Sequence, residues 1–353
     1  MLLSIFSPQS PLSARYASRL PLLWLLFSLN LAVAQDINQE QQQSADDEAN
    51  NARLLALASE LEQRQLAIDN MQSDLGIYAP ALLEAYSDLA TLYNELEDYS
   101  SAIKSYTDAL QLARINSGLF SEPQLPVIQS LIVNNGKLEE WQEVDDLQQL
   151  KYFVSSRIYA LDDFDYITAV ERYGAWKLRL LRENLLDQNY RGLSNTAIDL
   201  SDFYDRVITK IETQTNSRPE KLLPMIYGKT QADMALARSI ASTPYNAFEG
   251  TVSPYVSQTR CQNVRTAQGQ YVRQCYQVKV VNPRYRQSQR DAKQFALNRY
   301  TREITKSIEK LRDIKNRSTD LSRVERQQLD GQIAQLETES GQLMRAARRQ
   351  SLF

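Results

Sequence analysis

Apolar and polar positions along residues 51–240 follow each other in the three- and four-residue steps of α-helices. In residues 86–114, Tyr86, Leu89, Ala90 and Tyr93 share one helical face, and Ala102, Ile103, Tyr106 and Ala109 share another, so the stretch reads as two short helices. Ala90 and Ala102 are small enough to let two backbones approach, while Leu89, Tyr93, Tyr99 and Tyr106 fill the space beside them. An earlier helix over 51–74 carries a stripe of Leu54, Leu57, Leu61 and Ile68. A looser pair over 124–157 carries Leu131, Leu138, Trp141 and Val144. A third pair is expected over 164–210, and a further helix over 222–240, with Pro224 near its start, would cap the series.

These positions recur at a period of 42 residues. Leu54 aligns with Leu96 and Leu138, and Leu57 with Tyr99 and Trp141. Gly76-Ile77-Tyr78 returns as Gly118-Leu119-Phe120, and Pro80 as Pro123 at nearly the same offset. In the third unit Val170, Tyr173 and Gly174 align with Tyr86, Leu89 and Ala90, and Tyr190 takes the part of Tyr99 after an insertion. Units of this length cannot bury their apolar faces alone, so stacked neighbours are implied.

Tyr86, Leu89, Ala90, Tyr93, Tyr99, Ala102, Tyr106 and Ala109 match the signature sites of the tetratricopeptide-repeat (TPR) family, which the first unit resembles. The 42-residue spacing is similar to that of the longer repeats in kinesin light chains. The resemblance implies a mainly α fold, an α-α superhelix with a concave surface that holds a protein or peptide. On that surface Glu84, Ser87, Thr91 and Asn94 are the peptide-binding candidates of the first unit, with Gln129 and Val133 on the second. One subclass of the family grips C-terminal carboxylates with Lys, Arg and Asn on the first helix of each repeat. These positions hold no basic clamp, so that specificity does not transfer.

The pattern changes after Ser242. Pro244, Gly250 and Pro254 interrupt helix, and two alternating runs flank Ala267-Gln268-Gly269, which reads as a β-hairpin within 241–286. Pairing centred on Gln268 sets Cys261 opposite Cys275 and Val264 opposite Val272. A disulfide is expected, worth about 3 kcal/mol for a loop of this size in the chain-entropy picture. Residues 287–353 read as an antiparallel helical hairpin or coiled coil. Its first stripe is Tyr300, Ile304, Ile308, Leu311 and Ile314, its second Leu329, Ile333, Leu336 and Leu343. Ser322 and Glu325 form a capping box between them. The hairpin either docks on the repeats or self-associates. Asn316-Arg-Ser318 fits a glycosylation acceptor.

Charge and composition narrow the chemistry. The first residues read as an export signal: Arg15 and Arg19, an apolar run from Leu20 to Phe27, and Ala32-Val33-Ala34 as a cleavage site, giving a signal peptide over 1–34. The expected location is extracytoplasmic: periplasmic in a Gram-negative source, otherwise secreted. Residues 35–50 are a polar linker expected to stay disordered. Without residues 1–34 the chain carries 38 basic and 43 acidic residues, and residues 284–353 alone hold 16 basic against 9 acidic. That basic end, with Arg284, Arg286 and Arg290, suits peripheral contact with an anionic surface.

The chain has no His, which excludes Ser-His-Asp triads, Cys-His nucleophiles and His-bearing zinc sites. Asp162, Asp163 and Asp165 lack the spacing of a calcium loop and read as helix-capping residues. No catalytic residue, metal or cofactor is expected, and export disfavours nucleic acid as a partner. The expected function is a non-enzymatic protein-binding adaptor over residues 51–240. Two alternatives stay open: a structural coiled-coil envelope protein and a carboxylate-based glycan hydrolase. For the hydrolase, Glu339-Ser340 and Gly341 to Met344 superficially resemble motifs of soluble lytic transglycosylases, although here the pieces are fused.

Overall fold

The computed structural model describes residues 51–214 and 218–350, with side chains as far as Arg345. The expected signal peptide and polar linker lie outside the described residues. The chain divides into a unit ending at Leu66, described as helix over 51–66, and a unit beginning at Ala67. Residues 51–75 are helical (α1). After it come α2 (Ala81–Glu95), α3 (Tyr99–Ser117), α4 (Gln124–Lys137), α5 (Trp141–Ile158), α6 (Phe164–Glu183) and α7 (Tyr190–Gln214). Then follow α8 (Leu223–Ser242), strands β1 (Tyr255–Arg265) and β2 (Tyr271–Val281), α9 (Tyr285–Arg317) and α10 (Arg323–Gln350).

The 42-residue period is written into the backbone of the turns. Leu96 and Leu138 close α2 and α4 with nearly the same angles, φ −86° ψ 1° and φ −89° ψ 1°. The next residues, Glu97 and Glu139, both turn left-handed, at φ 57° and 59°. Asp98 N then donates to Tyr93 O at 2.9 Å, and Glu140 N to Asn135 O at 3.0 Å, which reverses the chain into α3 and α5. Between pairs, Gly76 and Gly118 reach φ 87° and 90°, a region open to Gly at little cost, and Pro80 and Pro123 stand at the starts of α2 and α4.

From α2 to α6 each helix packs on the next. Ala90, Ala102 and Ala109 are fully buried where the helices touch, and Leu89, Tyr106, Leu131 and Val144 are buried around them. Tyr86, Tyr93, Tyr99 and Trp141 are half-buried. Leu138 departs from its expected packing role. As the residue that closes α4 it points out of the turn and is 39% exposed. Leu54, at 41%, is exposed as well.

Two cores meet at α6. Its C-terminal half gives Trp176 and Leu180 to the core of α2–α5, and its N-terminal half gives Tyr166, Ile167 and Val170 to a second core with α7–α10. The third pair is therefore irregular. α7 rests chiefly on α8 rather than on α6, and Tyr190, expected to pack like Tyr99, is 44% exposed. The stripes of α9 and α10 are spent inside this second core: Ile304, Ile308, Leu311, Ile314, Leu329, Ile333 and Leu336 are all buried. The hairpin thus docks on α8, and those side chains are not free to drive self-association. Ser322 and Glu325 form the expected capping box, Ser322 N donating to Glu325 Oε2 at 2.8 Å and Glu325 N to Ser322 Oγ at 3.2 Å.

The β-hairpin has the expected register, Cys261 facing Cys275 and Val264 facing Val272, and the two Cys are joined. Asp163 precedes α6, but its carboxylate turns back to accept from Ala160 N at 2.8 Å. Among the described residues no cluster of acidic and Cys side chains is arranged for a metal ion.

Candidate functional site

A hollow of about 330 Å³ opens where α4, α5 and α6 meet. α4 contributes Leu125, Pro126 and Gln129, and α6 contributes Phe164, Asp165, Thr168, Ala169, Arg172 and Tyr173. α5, which lies between them, presents Gln148, Lys151, Tyr152 and Ser155 at steps of three, one and three, one face of a helix. The hollow forms where α5 packs on α4 on one side and on α6 on the other.

Its floor is aromatic. The rings of Tyr152 and Tyr173 stack at 5.2 Å, and the Phe203 ring meets each of them edge-on at 5.0 Å. Burial and the charges of Asp145 and Asp199 push the Tyr173 hydroxyl up to about 12, and burial raises Tyr152 as well, so both remain neutral hydrogen-bonding groups. The rim is charged. Lys151 Nζ donates to Gln129 Oε1 at 2.6 Å, and its ammonium is held below its ordinary value by burial and by the neighbouring Arg172. Two cations therefore share the rim of the hollow, where an anion would relieve their repulsion. Asp165, two helical turns before Arg172 on α6, gives the far side the opposite charge.

Of the residues chosen from sequence, Gln129 lines the hollow, while Glu84, Ser87, Thr91 and Asn94 lie on α2, outside its walls. They lie on the corresponding helix face. Forty-two residues on, Glu84 and Ser87 map to Pro126 and Gln129, both in the hollow. Glu84 is exposed. The others make bonds within the chain: Ser87 Oγ donates to Leu83 O at 2.8 Å, Thr91 Oγ1 to Ser87 O at 3.0 Å, and Asn94 Nδ2 to the Tyr106 hydroxyl at 3.5 Å. Val133 is exposed and outside the walls. Lys151, Tyr152 and Arg172 were not anticipated. The helical spacing of Gln148, Lys151, Tyr152 and Ser155 was the available signal.

A second cleft, about 540 Å³, lies between α6, α8 and α10 and contains Glu339. The Glu339 carboxylate accepts from Arg238 and from Gln335 Nε2, and its other lining residues include Arg182 and no second acid. The common retaining and inverting glycosidases use a pair of carboxyl groups, whereas this cleft is lined by one, held by an arginine.

A buried polar knot joins α7 and α8, where Ser201 Oγ and Lys229 Nζ both donate to the Asp233 carboxylate, at 2.6 and 2.8 Å. Burial alone would depress the Lys229 ammonium, but Asp233 and Asp205 hold it above its ordinary value. Lys229 and Asp233 are buried, so the knot orders the second core and offers nothing to a ligand.

No protein-family model matches the chain, and no curated protein does. Among solved structures it is similar to nearly identical TPR-like repeats described as those of a Podosopora anserina kinesin light chain, and to a single-substitution variant of that protein. The identity is 10% in each case, the TM-scores are 0.37 and 0.36, and the match covers 52% of this chain and 80% and 79% of theirs. With successive helices packed from α2 to α6 and turn angles that recur after 42 residues, the chain has an α-helical repeat fold.

Proposed function

We propose that the protein is an exported, non-enzymatic adaptor that holds an extended peptide of a protein partner in the hollow of α4, α5 and α6. The observation that carries this reading is the pair Lys151 and Arg172 above the Tyr152–Tyr173 floor: an apolar slot for a side chain, beside a place where negative charge is wanted. Export is supported by the pattern of residues 1–34 and by the chain's two Cys, which are joined to each other, as suits an oxidising compartment.

Arg172 is exposed, so Arg172→Glu is compatible with the fold. Peptides selected from a random library by the wild-type protein should carry an acidic residue and lose at least about tenfold in affinity for Arg172→Glu, measured by fluorescence anisotropy, with the melting temperature unchanged. Equal affinity for the two proteins would remove the hollow as the binding site. Cell fractionation that finds the protein only in the cytoplasm would remove the export part of the proposal.

A further inference from the structure

The β1–β2 ribbon is exposed along nearly its whole length, and among the described residues no third strand joins it. Its open edges can be assigned. Cys261 and Cys275 lie with Cα atoms 4.0 Å apart, the close spacing of an antiparallel pair that exchanges no backbone hydrogen bonds. Thr266 N donates to Gln270 O at 2.8 Å at one end of the ribbon, and Asn282 N to Pro254 O at 2.9 Å at the other. Even-numbered residues therefore bond within the ribbon, and the odd-numbered residues of β2, from Tyr271 to Val281, turn their N–H and C=O groups outward. Two of these, Arg273 and Lys279, are cations on one face, six residues apart, with Arg265 of β1 on the same face. No Asp or Glu occurs between Glu249 and Asp291.

From this edge we infer a second binding site: an acidic, extended segment of a partner protein adds to β2 as a third strand. Backbone hydrogen bonds to the outward amides hold it, and carboxylates six residues apart meet Arg273 and Lys279. The chemistry selects this occupant. A lipid headgroup layer would neutralise the cations but offers no row of amides to pair with the strand. A second copy of the chain would bring its own Arg and Lys against these, and like charges side by side repel. Edge cations normally discourage strand addition, and an acidic strand is the one that turns that barrier into attraction. The ribbon is cross-linked at its middle by Cys261–Cys275, so a partner meets an edge already ordered.

The test uses the disulfide-intact protein and a fluorescein-labelled eleven-residue peptide of alternating Val and Ser with two Glu six residues apart. Anisotropy should report saturable binding, weakened at least tenfold by Arg273→Glu combined with Lys279→Glu, and abolished when alternate amides of the peptide are N-methylated. The hollow variant Arg172→Glu should bind this peptide as wild type does. The inference fails if the peptide does not bind, or if the N-methylated peptide binds equally well, which would leave only non-specific charge attraction. It also fails if the ribbon cations matter only for binding vesicles of anionic phospholipid, or only for dimer formation in sedimentation.

Discussion

Tyr204 is wedged between two glycines, and that contact explains why the helices around it cross where they do. A Cβ built at Gly174 on α6 would stand 1.8 Å from the Tyr204 hydroxyl oxygen, and one at Gly228 on α8 2.3 Å from it. The ring is itself buried and in contact with Phe203, so it has nowhere to retreat. Ordinarily Gly→Ala inside a helix is favourable by about 1 kcal/mol. At Gly174 the overlap should reverse the sign and cost about 1–3 kcal/mol, as overpacked cores do. Gly331 on α10 is the matched control, because a Cβ there meets nothing within 4 Å. Thermal unfolding should show Gly174→Ala less stable and Gly331→Ala more stable than the parent, and a stabilised Gly174→Ala would contradict the wedge. The need for a small residue at 174 was legible, since the repeat aligns it with Ala90. The intruding ring was not, because Tyr204 comes from a helix that leaves the repeat pattern.

The turns between paired helices carry the repeat more faithfully than the side chains do. Glu97 and Glu139 share a left-handed backbone that side chains with a Cβ adopt at a cost, so Gly at either position should stabilise the protein by about 0.5–1 kcal/mol. Denaturant midpoints of Glu97→Gly and Glu139→Gly should rise together. A rise at one site alone would mean that the two turns are not equivalent. Sequence exposed this level well: the period of 42, the Cys261–Cys275 register and the Ser322–Glu325 cap all follow from local spacing and turn chemistry. It was weaker where a face is shared between elements. The sequence points to binding candidates on the first helix of each pair, whereas Lys151 and Tyr152 reach the hollow from α5, the second helix of its pair. Likewise the four cations of the β1–β2 ribbon, Arg260, Arg265, Arg273 and Lys279, are submerged in the net acidity of the residues before Arg284.

Where the two cores adjoin, α5, α6 and α7 bury Tyr166 and Tyr204 and half-bury Tyr152 and Tyr173, and these phenols set the alkaline limit of the fold. Burial is the leading cause that raises Tyr152, Tyr166, Tyr173 and Tyr204. Asp145 and Asp199 add to the effect at Tyr173 and Glu171 at Tyr204, while Arg206 opposes it at Tyr152 and Tyr173. A folded value above the ordinary one near 10 means that the native state keeps a proton the unfolded chain gives up. The contribution is fully present below about pH 10 and is lost as pH rises past it, and Lys229, also raised, acts in the same direction. Urea midpoints should therefore stay level to about pH 9 and fall steeply above about pH 10, with tyrosinate absorbance from Tyr166 and Tyr204 appearing only as the chain unfolds. Tyr173→Phe removes one of these protons and should flatten the fall. A midpoint that holds level through pH 12, or a Tyr173→Phe protein that falls as steeply as the parent, would show that these phenols do not limit the fold in alkali.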